Sequence, residues 1–361
     1  MRGRRNRWTP GLAVLLAMTS AACSGGGGGP GGGTTSPTPP PPPVVAPPAS
    51  PALVFTADFS PALPAPGPAT RQEIFTTGVD GKAIQQLTHD GTEHFLPHFS
   101  PDGSKLLYTR FAVGGYGDPA SILDVWVYDR ASGAETQLTH TGRSVQGVWS
   151  PDGRQIGYGD FSNNTISIMN ADGSSPRVIA PSSGNPDDRQ WGDYLWSSDN
   201  WIYFSVAQDI DGCFKVRLDR IRPDGSQRTR ITDGGPNCTP PGLEQSGEAD
   251  PGISPDGKTI YSSRGLPRIV PGTANATVRH LFKFSSDPYT PGKVETDLSQ
   301  AAKADCIAGV PKVSPGGDRI ALFLFCPSDP EHAGVTLTDP DGSAFTFVTR
   351  GFGPDWNPAA R

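Results

Sequence analysis

Three histidines and a set of loop carboxylates are the residues here whose chemistry could hold a metal or move a proton. His89, His94 and His98 fall within ten residues of one another, but without the two-His helical spacing of a zinc hydrolase and with no Cys-x-x-Cys to complete a zinc set. They read as polar residues of a loop and a strand edge. Glu93, Asp193, Glu248, Asp250, Asp305 and Asp355 could supply the oxygen ligands that Ca²⁺ prefers. Turn chemistry accounts for most loop aspartates, however, and Arg143 and Arg350 take positions equivalent to these carboxylates. No cofactor is therefore expected, with Ca²⁺ at a channel mouth as the alternative. No G-x-S-x-G elbow is present, and so no serine nucleophile is assigned. Tyr116 and Trp191 fall in long loop stretches, where large amphipathic rings could anchor a partner.

What would position these groups is a repeat. The stretch PHFSPDG (97–103) recurs as GVWSPDG (147–153), YLWSSDN (194–200), PGISPDG (251–257), PKVSPGG (311–317) and PDWNPAA (354–360). The spacing of roughly 40 to 60 residues is that of a propeller or array. An apolar strand follows each of the first five copies: KLLYTRF, RQIGYGD, NWIYFSV, KTIYSSR and DRIALFLF. The sixth finds its partner at the other end, in ALVFTADF (52–59). Third strands such as DVWVYD, TISIMN and HLFKF alternate with period two, and several end in the Asp-Gly turn that closes hairpins. Short fourth strands follow, among them ETQLT, PRVIA and FTFVT. The expected fold is all-β: a six-bladed propeller of four-stranded blades, closed by pairing the C-terminal inner strand with the N-terminal strands. Trp149, Trp196 and Trp356 share one repeat position with Phe99, Ile253 and Val313, and they are expected to pack between blades.

These motifs, above all VWSPDGRQIGYGD, MNADGSSPRVI and LTHDGTEHFLPHFSPDGSKLLYT, resemble the TolB-like, WD40-like β-propeller repeat, with the likeness running over 52–358. TolB carries an extra α/β domain ahead of its propeller where this sequence offers only a tether. The resemblance thus implies a TolB-like protein rather than TolB. Propellers of this kind serve as binding domains, peptidase gates and enzymes, so the fold does not choose the function.

Residues 1–23 carry a basic stretch with Arg2, Arg4, Arg5 and Arg7, a short apolar core, and Ser20-Ala21-Ala22-Cys23. This resembles a bacterial lipoprotein signal with its lipobox, departing at Ser20 where Leu is usual, and it implies a lipid on Cys23. The alternative is an ordinary secretory signal. Residues 24–50 are Gly- and Pro-rich and read as a disordered tether, with the propeller over 51–361. With a formal charge of −6 the chain has no basic footprint for nucleic acid.

Four cysteines follow Cys23 and, in an exported chain, suggest two disulfides. Cys306 and Cys326 lie symmetrically about the SPGG turn, and Cys213 and Cys238 straddle the turn at 223–225. Cys213–Cys238 and Cys306–Cys326 are the expected pairs, because the other pairings cross between blades. Connections after second and fourth strands are long, while those after first and third strands are mostly short. The long-loop face, with Glu93, His94, Tyr116, Arg143, Trp191, Asp193, Glu248, Asp250, Asp305 and Arg350, is the expected binding surface. The expectation is a monomeric lipoprotein of the cell envelope that binds an envelope protein or cell-wall component. A propeller hydrolase or lyase with a divalent cation at the channel mouth is the rival.

Overall fold

The computed structural model describes residues 51–360 apart from 59–70, 116–119, 161, 182–187, 211–212, 235–245, 267–277 and 300–305. Within these residues lie twenty-four strands, β1 to β24, and one short 3₁₀ turn at Pro330–His332. Three four-stranded sheets are closed units. The first takes β24 (Phe352–Trp356), β1 (Leu53–Ala57), β2 (Glu73–Thr77) and β3 (Gln85–Gln86) in that order. The second runs β4 (Glu93–Phe99), β5 (Lys105–Val113), β6 (Ile122–Asp129) and β7 (Glu135–Gln137). The third runs β8 (Ser144–Trp149), β9 (Gln155–Asp160), β10 (Thr165–Asn170) and β11 (Arg177–Ala180). The closure expected from the sequence is present: β24 pairs antiparallel with β1 through Leu53↔Trp356 and Val54↔Asp355.

The remaining strands depart from the expected six separate sheets. They form one twelve-stranded sheet, so the hydrogen-bonded sheets number four among the described residues. Its antiparallel sets are β12 (Asp188–Trp196) to β15 (Thr229–Arg230), β16 (Ser246–Ile253) to β19 (Glu295–Asp297), and β20 (Ile307–Val313) to β23 (Phe345–Thr349). Between these lie β13 (Ile202–Ile210), β14 (Cys213–Ile221), β17 (Thr259–Leu266), β18 (Val278–Ser285), β21 (Ile320–Phe325) and β22 (Gly334–Thr338). The sets are joined where a third strand runs briefly parallel to the next first strand, at Lys215↔Ser246 and Val216↔Gly247, and at Arg279↔Ile307. The same contact exists as an isolated bridge, Leu123↔Arg143, between β6 and the start of β8. Long inner strands reach far enough to pair across the seam, and a repeat motif at the other end of the strand carries no trace of this.

Each SPDG turn is built by its own side chains. Ser100 Oγ donates to Asp102 Oδ1 at 2.6 Å, the Ser104 amide donates to the same oxygen at 3.0 Å, and Gly103 takes φ +71. The pattern repeats at Ser150–Asp152 and Ser254–Asp256, which makes these aspartates structural, as their turn position predicts. Six apolar clusters then weld neighbouring strand sets, and each contains one residue of the shared repeat position. Phe99 packs with Val54 and Ile74, Trp149 with Leu107 and Val125, and Trp196 with Ile166 and Ile168. Ile253 lies against the Tyr203 cluster, Val313 against the Tyr261 cluster, and Trp356 with Val335 and Leu337. The last of these joins the C-terminal strands to the N-terminal ones.

Candidate functional site

Every first strand is bulged. Register shifts interrupt its pairing with the second strand, and in five of the six a residue sits in the left-handed region: Leu96, Gln146, Asp250, Val310 and Gly353. A bulge re-aims the side chains around it. Here the residues two places on are His98, Val148, Gly252, Lys312 and Asp355, with Leu195 at the matching place in β12. Three of these six, His98, Lys312 and Asp355, are ionisable, and Asp193 and Asp250 join them from two residues earlier in β12 and β16.

The resulting cluster is compact. Lys312 Nζ lies 2.5 Å from Asp193 Oδ2, and Asp193 is fully buried. His98 Nε2 stands 3.3 Å from Asp193 Oδ1, too oblique to count as a hydrogen bond, and its Nδ1 is 3.6 Å from Asp355 Oδ2. Backbone amides complete the acceptors: Tyr194 N donates to Asp193 Oδ1, Asp193 N to Asp250 Oδ1, and Phe99 N to Asp355 Oδ2. Trp356 Nε1 donates to the Lys312 carbonyl at 2.8 Å. Phe95, Leu96, Val145 and Val310, with Phe352 packed against them, form one apolar cluster with Phe111 and Leu123 on the same inner strands and their neighbours. Four inner strands are tied across the channel by charge, one of them the closing strand β24.

Electrostatics decide which groups are charged. Burial alone would raise Asp193, but the Lys312 ammonium and then His98 outweigh it and hold its carboxyl well below the usual carboxylate range. Burial disfavours charge on His98 and Lys312, yet Asp193 overrides it for both and raises their pKa values. Asp250 moves the other way: burial, and the charge of Asp193 beyond Arg279, push its pKa up. Chemically the cluster is largely self-neutralised. The Lys312 ammonium is the cation paired with Asp193.

The residues expected on the binding face divide accordingly. Asp193 is fully buried in the channel cluster, and the half-buried Asp250 accepts the Asp193 amide beside it. His94 is fully buried in β4, and Glu93 opens that strand opposite Phe111. Arg143 does lie on the rim, with Nε donating to Asp160 at 3.1 Å, and Arg350 is exposed between β23 and β24. Trp191 departs from its expected loop, because it lies within β12 in register with Ser205; the nine-residue hairpin strands β12 and β13 extend beyond the repeat's usual length. Glu248 lies in β16 opposite Arg264. Cys306 and Cys326 are disulfide-bonded as expected. Cys213 opens β14, while its expected partner Cys238, together with Cys23, Tyr116 and Asp305, lies outside the described residues. Lys312 escaped the sequence reading, although its repeat position, shared with His98 and Asp355 where Val148, Leu195 and Gly252 are uncharged, was a usable signal.

Bulged inner strands, SPDG hairpins and inter-set apolar clusters make up a β-propeller, a fold similar to that of solved TolB structures. No family model matches the chain. Over 201 residues it is 26% identical to the uncharacterized peptidase YuxL of Bacillus subtilis, which covers 47% of this chain and 29% of that protein. Over 109 residues it is 28% identical to the Tol-Pal system protein TolB of Anaeromyxobacter dehalogenans, covering 30% of this chain and 24% of the relative. The matches thus span less than a third of either relative. Among solved structures, TolB from Acinetobacter baumannii superposes with a TM-score of 0.56 at 16% identity, over 85% of this chain and 66% of that one. An oligogalacturonate lyase in complex with manganese gives 0.50 at 14% identity, over 83% and 73%.

Proposed function

We propose that this chain is a six-bladed propeller of the cell envelope that binds a protein or cell-wall component on its long-loop face. In this reading the twelve-stranded sheet counts as three blades whose seams happen to hydrogen-bond. Signal, tether and a lipid on Cys23 would hold the ring at a membrane, as a monomer. The observation that carries the reading is the self-neutralised channel. Lys312 is paired with Asp193, and Phe95, Leu96 and Val310 pack into one apolar cluster of the inner strands, which supports the rim as the surface for recognition. The likeness to TolB, a protein of the Tol-Pal system, supports an envelope setting. Crosslinking capture from intact envelopes should recover a specific component, and recovery of none would count against binding. Replacing Cys23 with Ser should move the protein from the membrane to the soluble fraction.

The rival reading, a cation-dependent hydrolase or lyase, draws on the peptidase relative and the manganese-bound lyase fold. It requires a metal held by channel carboxylates. Stoichiometric metal that disappears in Asp193→Asn would favour it over the scaffold reading.

A further inference from the structure

A groove of about 440 Å³ opens between two neighbouring strand sets, beside the SPDG turn that ends at Gly257. Its floor is Tyr261 of β17, and its walls include Lys258, Thr259, Lys283 of β18, Val294 and the start of the β22–β23 turn at Pro340. The volume is that of a small-molecule site. Tyr261 is 5% exposed, and its hydroxyl has no hydrogen-bond partner among the described residues. Burial and, after it, the charge of Asp256 raise its pKa, so the hydroxyl keeps a hydrogen to donate. Lys283 Nζ reaches only the Pro340 carbonyl oxygen, at 3.5 Å, beyond the ordinary length of such a bond.

The preceding strand set has the same positions closed. Ser197 N donates to the Trp201 carbonyl and Ser254 N to that of Thr259, which makes Trp201 and Thr259 equivalent. Tyr203 stands in register with Arg220 as Tyr261 does with Lys283. There Arg220 Nη1 donates to the Tyr203 hydroxyl at 3.2 Å and to the Ser286 carbonyl at 3.1 Å. Arg220 and Arg222 also lie over the Trp201 ring, 4.2 and 3.6 Å from its centroid. An indole fills the space and the phenol has its partner. In the groove Thr259 replaces the indole and Lys283 the guanidinium, so empty volume and a free donor arise together.

The charge there is also unbalanced. Lys258 and Lys283 form no ion pair among the described residues. Asp341 lines the same groove, but its Oδ1 accepts from the Ser343 amide at 2.9 Å. Two ammoniums against one carboxylate leave one positive charge, which matches a monoanion. Val294, 81% exposed, and Pro340 supply an apolar flank.

We infer that this groove binds a small carboxylate with an apolar body, held by the Tyr261 hydroxyl and the Lys283 ammonium with Lys258 at the entrance. The site rests neither on the rim reading nor on the channel. The test titrates the full-length protein by saturation-transfer NMR with N-acetylleucine, which stands for a peptide C-terminus, and with isocaproate, which stands for a free acid. Binding of either supports the site, and the tighter one identifies the source. N-acetylleucinamide, which has the same body without the charge, should not bind. Phenyl phosphate should bind more weakly than the acids. Lys283→Gln and Tyr261→Phe should each weaken binding about tenfold or more, the effect of losing a hydrogen bond to a charged group. Thr259→Trp, which copies Trp201, should abolish it. Tyr261→Phe removes only the hydroxyl and keeps the ring, so it serves if the Trp variant fails to fold. Neither acid binding, the amide binding as well as the acid, phenyl phosphate binding more tightly than both acids, or acid binding that survives Lys283→Gln and Tyr261→Phe would each overturn the assignment.

Discussion

Lys312 brings an ammonium to a repeat position where other strand sets place Val148, Leu195 or Gly252, and the surrounding groups fix its worth. A buried pair is strongly unfavourable to break one-sidedly, because the remaining charge stays buried. Lys312→Met should therefore destabilise the protein by about 3–5 kcal/mol, read from denaturant unfolding. The double change with Asp193→Leu should recover much of that loss; a double variant as unstable as the single one would argue that the pair is not a unit. His98 gives a pH signature. Its folded pKa is raised above the unfolded 6.5, so its contribution is complete below that value and is lost as pH rises through the higher folded value. Stability should fall on the alkaline side of pH 6.5, and in His98→Gln that part of the slope should flatten. Little of this cluster was legible in the sequence: Lys312 and Asp193 are 119 residues apart, and only the ring topology brings them together.

At the level of elements the sequence was far more legible, because each strand set repeats its own local instructions. Ser and Asp build the turn, the Gly at its end takes positive φ, and one aromatic or aliphatic residue enters each inter-set cluster. What stayed hidden were features set by strand reach. The parallel seams at Lys215↔Ser246 and Arg279↔Ile307 depend on how far an inner strand extends past its motif, as does the placement of Trp191 in a strand instead of a loop. Two predictions belong here. Trp356→Ala removes the residue by which the closing strand enters the Val335–Leu337 cluster, and should cost about 3–5 kcal/mol with a lowered melting temperature. The disulfide between Cys306 and Cys326 ties the start of β20 to the end of β21, a loop with a sequence separation of 20. Cys326→Ser should cost about 3 kcal/mol in the loop-entropy model, read as a lowered melting temperature of the variant against the parent under non-reducing conditions.

For the whole molecule, the two ends of the ring differ in kind. One end carries short, side-chain-capped hairpins; at the other, Arg143 is exposed just before β8 and Arg350 between β23 and β24. Between them the inner strands hold paired charge and an apolar cluster. In the reading proposed above, the partner is recognised at the rim. The most direct measurement places a photocrosslinking residue at Arg143 or Arg350, and, as the comparison, at Arg154 in a short turn of the opposite end, in cells carrying an intact envelope. The account predicts discrete crosslinked species from both rim positions and none from Arg154. Equal labelling from the two ends, or no adduct from the rim, would contradict it.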